Sequence, residues 1–185
     1  MSTLSEFEEF LLKEYENIAK AHFEAQKQFA VFFRYYILFA SVPVLILTTA
    51  DKNNKVFTDN IFAYVLLFLA FVGFFFYLFV INVKHEAVLY SRTVNGIRYH
   101  FYQNAPSHAA NVQVLPLDRI KPKYYNPFNP VLLIMIILNT LFTCLGLYYD
   151  GNKSVVIFII IAVLIVALHI ISNYIQSSLQ EKKYP

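Results

Sequence analysis

The chain of 185 residues has no tryptophan, one cysteine, four glycines and seven prolines, and only 15% of its residues are charged. A soluble domain of this size carries about 25% charged residues. The lone Cys144 excludes an intrachain disulfide, and its apolar neighbours favour a small buried hydrophobe over a reactive thiol. Without tryptophan, an aromatic belt at a membrane surface must consist of the 14 tyrosines and 19 phenylalanines.

Charge is missing mainly from long apolar runs. The cleanest run is Ile61 to Val83, which has no charged residue among its 23 positions. As a helix it covers roughly 34 Å, enough to cross a bilayer core of about 30 Å. Three other runs are also long enough, so we predict an all-α membrane protein with four transmembrane helices. The predicted organisation is an amphipathic cytoplasmic helix at 1–28, a transmembrane hairpin at 29–83, a small cytoplasmic domain at 84–128, a second hairpin at 129–175 and a cytoplasmic tail at 176–185.

The first predicted span is the least regular of the four. It begins near Phe29, so Arg34 lies about one turn inside it and can extend to the lipid headgroups. Pro43 lies in the middle of this span and lacks the backbone N–H that a helix interior requires. The sequence therefore predicts a kink near Pro43.

The residues before this span predict an amphipathic helix. From Leu4 to Gln28, apolar residues recur at spacings of three and four, which places them on one helical face. Six glutamates outnumber three lysines in this stretch. Anionic lipid would repel that charge, so we expect the helix to lie against protein.

The segment from residue 84 to 128 holds six lysines and arginines, more than the two lysines after the first span and the one after the third. Positively charged loops usually stay in the cytoplasm, so this excess predicts that the segment and both termini are cytoplasmic. Lys84 to Gln103 contains no proline and should continue the second helix out of the membrane. We also expect the basic segment to contact the acidic N-terminal helix, with Glu16 or Glu24 near Arg92 or Arg98.

The candidate binding residues are Arg92, Asn95, Arg98 and His100. Their donors suit an anion, such as a phosphate of a nucleotide, a nucleic acid or a lipid headgroup. The alternative is that they pair with the acidic N-terminal helix and satisfy the charge rule for cytoplasmic loops. No nucleophile elbow, glycine-rich phosphate loop or helical metal-ligand pair is present in the sequence. We therefore expect no enzyme, no metal and no cofactor.

Four polar residues within the predicted spans form a second candidate group. Asn139 and Thr143 are four residues apart and share a helical face, as do His169 and Asn173. Polar groups in lipid usually face other helices or water. Two interpretations stay open: hydrogen bonds between helices, or the lining of a pore in an oligomer.

The layout resembles a known group of proteins. A glutamate-rich helix, EYENIAKAHF at Glu14–Phe23, leads into a two-span hairpin, and YSRTVNGIRY follows at Tyr90–Tyr99. This arrangement is similar to the SLATT-type and other small multi-pass inner-membrane proteins of bacterial anti-phage loci. The resemblance covers about the first hundred residues, and the second hairpin departs from the two-span pattern. It implies a membrane effector or sensor that oligomerises, responds to a cytoplasmic partner and perturbs the inner membrane.

The leading hypothesis is a homo-oligomeric effector or sensor of the bacterial inner membrane. Its expected partners are the lipid bilayer, other copies of itself and a soluble cytoplasmic protein, whereas contact with nucleic acid or a nucleotide stays open. One alternative is a small channel or carrier for a neutral or lipid-like substrate. Another is a membrane scaffold that recruits a soluble enzyme.

Overall fold

The computed structural model describes residues 6–43, 45, 55–104, 122–126, 129–151 and 154–184, with the backbone alone at 55–59, 102 and 104. Two predicted features lie outside these residues. One is the outer end of the first predicted span with the residues that follow it, at 46–54, and the other is the part of the predicted cytoplasmic segment at 105–121.

The described residues form four helices and contain no strand, which confirms the all-α prediction for this part of the chain. Three of these helices are long and apolar enough to cross a membrane. The remaining one is the first predicted span, which corresponds to the second half of α1, and that it crosses a membrane stays a prediction. The helices are α1 (Glu6–Ala40), α2 (Lys55–Asn104), α3 (Pro130–Tyr149) and α4 (Val155–Lys183).

Helix α1 runs without a break through the predicted boundary between cytoplasmic helix and first span. It ends at Ala40, Ser41 forms a turn, and Val42 and Pro43 are helical again. The Ser41 hydroxyl donates to the carbonyl oxygen of Leu38 at 2.6 Å, so it competes with the regular helical ladder at this point. The break therefore falls where the proline predicts a disturbance.

Helix α2 is one continuous element of 50 residues, which confirms that the second span continues through Gln103. At 1.5 Å per residue it is roughly 75 Å long, more than twice the thickness of a bilayer core. Its first part contributes to the apolar core and its last part carries Arg92 and Arg98. The same rigid element thus connects the polar end of the molecule with the apolar helices.

Local signals set the ends of the last two helices. The Asn129 side chain accepts hydrogen bonds from the N–H groups of Val131 and Leu132, at 3.0 and 3.3 Å, and Pro130 occupies the first turn of α3. Gly151 adopts a φ of +99° after α3, a conformation that favours glycine. Helix α4 continues to Lys183, so the predicted tail is helical over most of its length.

The core lies where α1, α2 and α3 meet. One cluster combines Tyr36 of α1, Tyr77 and Ile81 of α2 and Met135 of α3, all nearly inaccessible to solvent. Helix α4 lies outside this core and leaves most of its apolar surface uncovered by the described residues, as lipid-facing surface would be. Its exposed residues include Val155, Val156, Ile159, Ile160, Val163, Leu164, Leu168, Ile171 and Ile175.

Gly146 lets α2 and α3 approach closely. A Cβ at this position would lie 2.8 Å from Cγ of Leu67 and 3.2 Å from the carbonyl oxygen of Ala63. These separations are shorter than ordinary contacts, so any larger residue must move the neighbouring helix.

We expect Gly146→Ala to lower the free energy of unfolding by about 1–3 kcal/mol, because the added methyl group overpacks the contact between α2 and α3. Gly96→Ala is the matched control, because a Cβ at Gly96 meets nothing within 4 Å. There, alanine should stabilise the helix by up to about 1 kcal/mol. Thermal unfolding in detergent, followed by circular dichroism, measures both variants. Equal shifts of the unfolding temperature with the same sign would contradict the close contact of α2 and α3 at Gly146.

Candidate functional site

A network of four buried polar side chains lies among the apolar helices. It consists of Tyr36 of α1, Tyr77 of α2, Asn139 of α3 and His169 of α4, and each is at most 2% exposed. We call these residues the interior network. Because all four helices contribute one member, the network links them through side chains rather than through chain connections.

Hydrogen-bond geometry gives the network one consistent direction. The Tyr36 hydroxyl donates to Oδ1 of Asn139 at 2.9 Å. Nδ1 of His169 lies 2.8 Å from the carbonyl oxygen of Ile165, which can only accept, so Nδ1 carries the proton. In a neutral ring Nε2 is then an acceptor, and Nδ2 of Asn139 donates to it at 3.1 Å. Every polar atom along this path has a partner of the correct type.

Tyr77 adds a second connection to α4. Its hydroxyl donates to the carbonyl oxygen of His169 at 2.9 Å, and its ring lies edge-on to the imidazole with centroids 4.6 Å apart. Phe74 makes a similar edge contact with His169 at 5.2 Å. The imidazole is therefore enclosed by aromatic rings as well as fixed by hydrogen bonds.

Gly73 of α2 provides the space for Asn139. A Cβ at position 73 would overlap Oδ1 of Asn139 and would lie 3.2 Å from Cε2 of Tyr36. The absence of a side chain here brings the α2 backbone against the amide of α3. The network thus depends on a glycine that makes no hydrogen bond within it.

A second polar group lies toward the C-terminal ends of α2 and α4. Arg92 of α2 uses its whole guanidinium: Nη2 donates to both carboxylate oxygens of Glu181 at 2.8 Å, Nη1 to the carbonyl oxygen of Tyr184 at 2.9 Å and Nε to that of Pro122 at 2.9 Å. Its carbon Cζ lies 4.4 Å from the ring centroid of Tyr124. We call these five residues the Arg92 cluster.

The Arg92 cluster joins three separate parts of the chain: α2, the segment at 122–126 and the end of α4. The Arg92 side chain is only 10% exposed, whereas that of Glu181 is 51% exposed. An arginine that donates two hydrogen bonds to one carboxylate tolerates such burial, because the carboxylate compensates its charge. Burial raises the pKa of the Tyr124 phenol above its usual value, and Glu181 and Tyr184 also raise it, although the nearby Arg92 charge acts in the opposite direction.

His85 lies between the two polar groups. Its Nε2 is 3.0 Å from the hydroxyl of Ser177, and that hydroxyl donates to Oδ1 of Asn173 at 3.3 Å. The His85 ring also packs edge-on against Tyr124, with centroids 5.5 Å apart. Four buried atoms of this region have no hydrogen-bond partner among the described residues: Nζ of Lys84, Nδ1 of His85, the hydroxyl of Tyr124 and Oε1 of Gln176.

The structure does not bring Arg92, Asn95, Arg98 and His100 into one site. Arg92 faces α4, whereas Arg98 donates to the Tyr15 hydroxyl of α1 at 2.6 Å. His100 lies edge-on to Phe7 of α1 at 5.8 Å, and Asn95 is buried. That this group binds an anion stays a prediction, but both arginines already donate hydrogen bonds to protein groups.

The expected contact between α1 and the end of α2 has a different chemistry from the predicted one. Arg98 reaches α1 through a tyrosine, and Nδ1 of His22 lies 2.9 Å from the carbonyl oxygen of Ala87. Arg92 pairs with Glu181 of α4 rather than with Glu16 or Glu24. Net charge predicted that the two elements attract, but individual side-chain partners depend on helix rotation.

Two of the four predicted residues of the membrane interior belong to the interior network, and the other two lie outside it. Asn139 and His169 meet, as hydrogen bonding between helices predicts. Thr143 donates to the carbonyl oxygen of Asn139 in its own helix at 2.9 Å. Asn173 belongs with His85 and Ser177 one turn beyond His169.

Sequence reasoning missed Tyr36, Tyr77, His85, Tyr124 and Glu181. The tyrosines are hidden among 14 tyrosines in the sequence, and nothing in their spacing separates buried from interfacial ones. Glu181 lies in a polar stretch with two lysines, so the sequence predicts only a charged side chain exposed to solvent. A usable signal was the glycine at position 73 inside a charge-free run, which indicates a close helix contact.

No family model matches this chain, and neither the curated proteins nor the solved structures include one with significant similarity to it. Function therefore has to be argued from the geometry of these residues.

We expect Asn139→Ala to lower the free energy of unfolding by about 2–4 kcal/mol, because it opens a cavity and removes the amide that bonds the Tyr36 hydroxyl and Nε2 of His169. Thr143→Val is the matched control on the same helix, since it removes only a bond to a backbone carbonyl that already accepts in the helix. It should cost less than about 1 kcal/mol. Unfolding in detergent micelles compares the two variants. Similar decreases in the free energy of unfolding would contradict a particular stabilising role of the interior network.

Proposed function

We propose that this chain is a homo-oligomeric effector or sensor of the bacterial inner membrane, with four spans and with both termini in the cytoplasm. Its cytoplasmic side receives a signal from a partner protein or ligand, and its spans then change their contacts or open a pore. A role in anti-phage defence is part of the proposal and derives from the resemblance of the first hundred residues to SLATT-type proteins.

The observation that supports this function best is the position of the Arg92 cluster on α2. This helix contains both Arg92 and Tyr77, a member of the interior network, within its 50 residues. A displacement at one end of a continuous helix is transmitted to the other end, because its backbone hydrogen bonds resist bending. A change at Arg92 would therefore reach the apolar helices directly.

The contact between Arg92 and Glu181 has properties that suit a switch. Glu181 is half exposed, so a cytoplasmic partner has access to the carboxylate that holds the buried arginine. The Arg92 side chain is largely buried, so loss of the Glu181 carboxylate leaves a buried charge without compensation, and a partner that supplies its own carboxylate can take the place of Glu181. Loss of the pair would release the end of α4 from α2 and from the segment at 122–126.

Helix α4 is the element that such a release would move. It lies outside the core of α1, α2 and α3 and is held there by His169, Ser177 and Glu181. Most of its apolar surface is uncovered by the described residues. In an oligomer this helix could exchange lipid contacts for contacts with a second copy, as an effector that alters permeability requires.

We expect Arg92→Gln and Glu181→Gln to raise basal membrane permeability at least about fivefold, since loss of about 1 kcal/mol or more from the resting state shifts a two-state equilibrium by that factor or more. Dye uptake and membrane potential in cells that express each variant at equal levels measure the change. Lys182→Gln removes a neighbouring exposed charge and should leave permeability unaltered.

Two results would contradict the proposed function. One is an intact membrane in every variant, both alone and in the presence of the proteins encoded next to this chain. The other is a strictly monomeric particle in images of the purified protein. Substrate uptake by liposomes that contain the protein alone would instead support a carrier.

A further inference from the structure

A crevice of about 490 Å³ opens where α1 and α4 flank the middle of α2. This volume is within the range of roughly 300–1,000 Å³ found for small-molecule sites. All three helices contribute residues to its walls, and Tyr184 of the Arg92 cluster also lines it. The crevice is distinct from the interior network, none of whose members lines it.

The crevice crosses the point where α2 changes from apolar to polar. Phe79 and Val83 form one part of the wall, and Glu86 follows one turn later on the same side. Phe79 lies in the charge-free run that is long enough to cross a bilayer, whereas Glu86 lies just beyond its end. A ligand that fills the crevice would therefore contact both an apolar wall and a charged one, which suits an amphiphile.

The charged wall has one group of each sign. Glu86 of α2 and Lys183 of α4 both line the crevice, and both are exposed. The Glu86 carboxylate has no ion-pair partner among the described residues, and Nζ of Lys183 lies 5.1 Å from the Tyr184 ring centroid. Neighbouring Arg92 and Glu181 neutralise each other. The crevice thus offers one position for a cation and another for an anion.

His85 supplies a third, directional group. The Ser177 hydroxyl donates to Asn173, so it accepts from Nε2 of His85. In the neutral ring Nδ1 is then an acceptor, and it has no donor among the described residues although His85 is 3% exposed. A buried acceptor without a donor is costly, and His85 lines the crevice, so a ligand N–H that reaches Nδ1 would satisfy it.

We propose that this crevice binds the headgroup of an aminophospholipid. The primary ammonium faces Glu86 and Nδ1 of His85, the phosphate faces Lys183, and the acyl chains follow Phe79 toward the bilayer core. The proposal requires α2 and α4 to cross a membrane, but it is independent of oligomerisation and of any cytoplasmic signal.

The chain has no tryptophan, so a single Phe79→Trp substitution places a fluorescent reporter in the crevice wall. The reporter protein is placed in nanodiscs that contain a small, equal fraction of brominated phosphatidylethanolamine, phosphatidylcholine or phosphatidylglycerol. Phosphatidylcholine keeps both charges but has no N–H, and phosphatidylglycerol lacks the cation. Quenching should be at least about twofold stronger with phosphatidylethanolamine than with either other lipid.

Matched variants test the named residues in the reporter protein. Glu86→Gln and Lys183→Gln should each lower the preference for phosphatidylethanolamine about two- to fivefold. Glu16→Gln changes an exposed carboxylate of α1 and should leave the preference unaltered. Phe68→Trp reports a different exposed position on α2 and should show no preference between the lipids. Circular dichroism and elution volume verify that each variant is folded.

Three outcomes would overturn the proposal. Equal quenching by the three lipids at Phe79→Trp would assign the crevice to ordinary surrounding lipid. The same preference at Phe68→Trp would assign the effect to the bilayer as a whole. Relief of quenching by soluble glycerophosphoethanolamine at low concentration would assign the crevice to a soluble ligand instead of a membrane lipid.

Discussion

The arrangement of the four helices depends on the contact between Asn139 and His169. An amide and an imidazole among apolar side chains lose their water, and they recover hydrogen bonds only if partners from other helices reach them. Tyr36 and Tyr77 complete this requirement from α1 and α2. Apolar contacts alone would tolerate sliding or rotation of one helix on another, whereas hydrogen bonds of fixed direction do not.

The contact between Asn139 and His169 requires that residue 73 has no side chain, as in glycine. The amide of Asn139 occupies the space of the missing side chain, so α2 and α3 are closest where the polar network forms. Gly146 plays the same part further along α3, against Leu67 and the Ala63 carbonyl. Two of the four glycines in the chain therefore set the distance between these two helices, while the other two meet no neighbour.

The polar features follow α2 in order along its length. Tyr77 reaches the interior network, His85 contacts Ser177, Arg92 pairs with Glu181 and Arg98 reaches Tyr15. The first three contacts are with α4 and the last is with α1. In the proposed function these contacts decide whether α4 stays against α2, and His85 also lines the crevice of the proposed lipid site.

The amino-acid sequence by itself determined the class and most helix positions. Uninterrupted apolar length, the proline at position 130 and the turn formers after Tyr149 act locally, so they predict helices without knowledge of their neighbours. It also indicated that Asn139 and His169 would bond between helices, because a polar group in an apolar span has few alternatives. Only the tertiary structure decided the partners: Arg92 with Glu181, Arg98 with Tyr15, and Tyr36 with Asn139. Each of these pairs is separated by more than 80 residues, and its formation depends on helix rotation and spacing, which many side chains fix together.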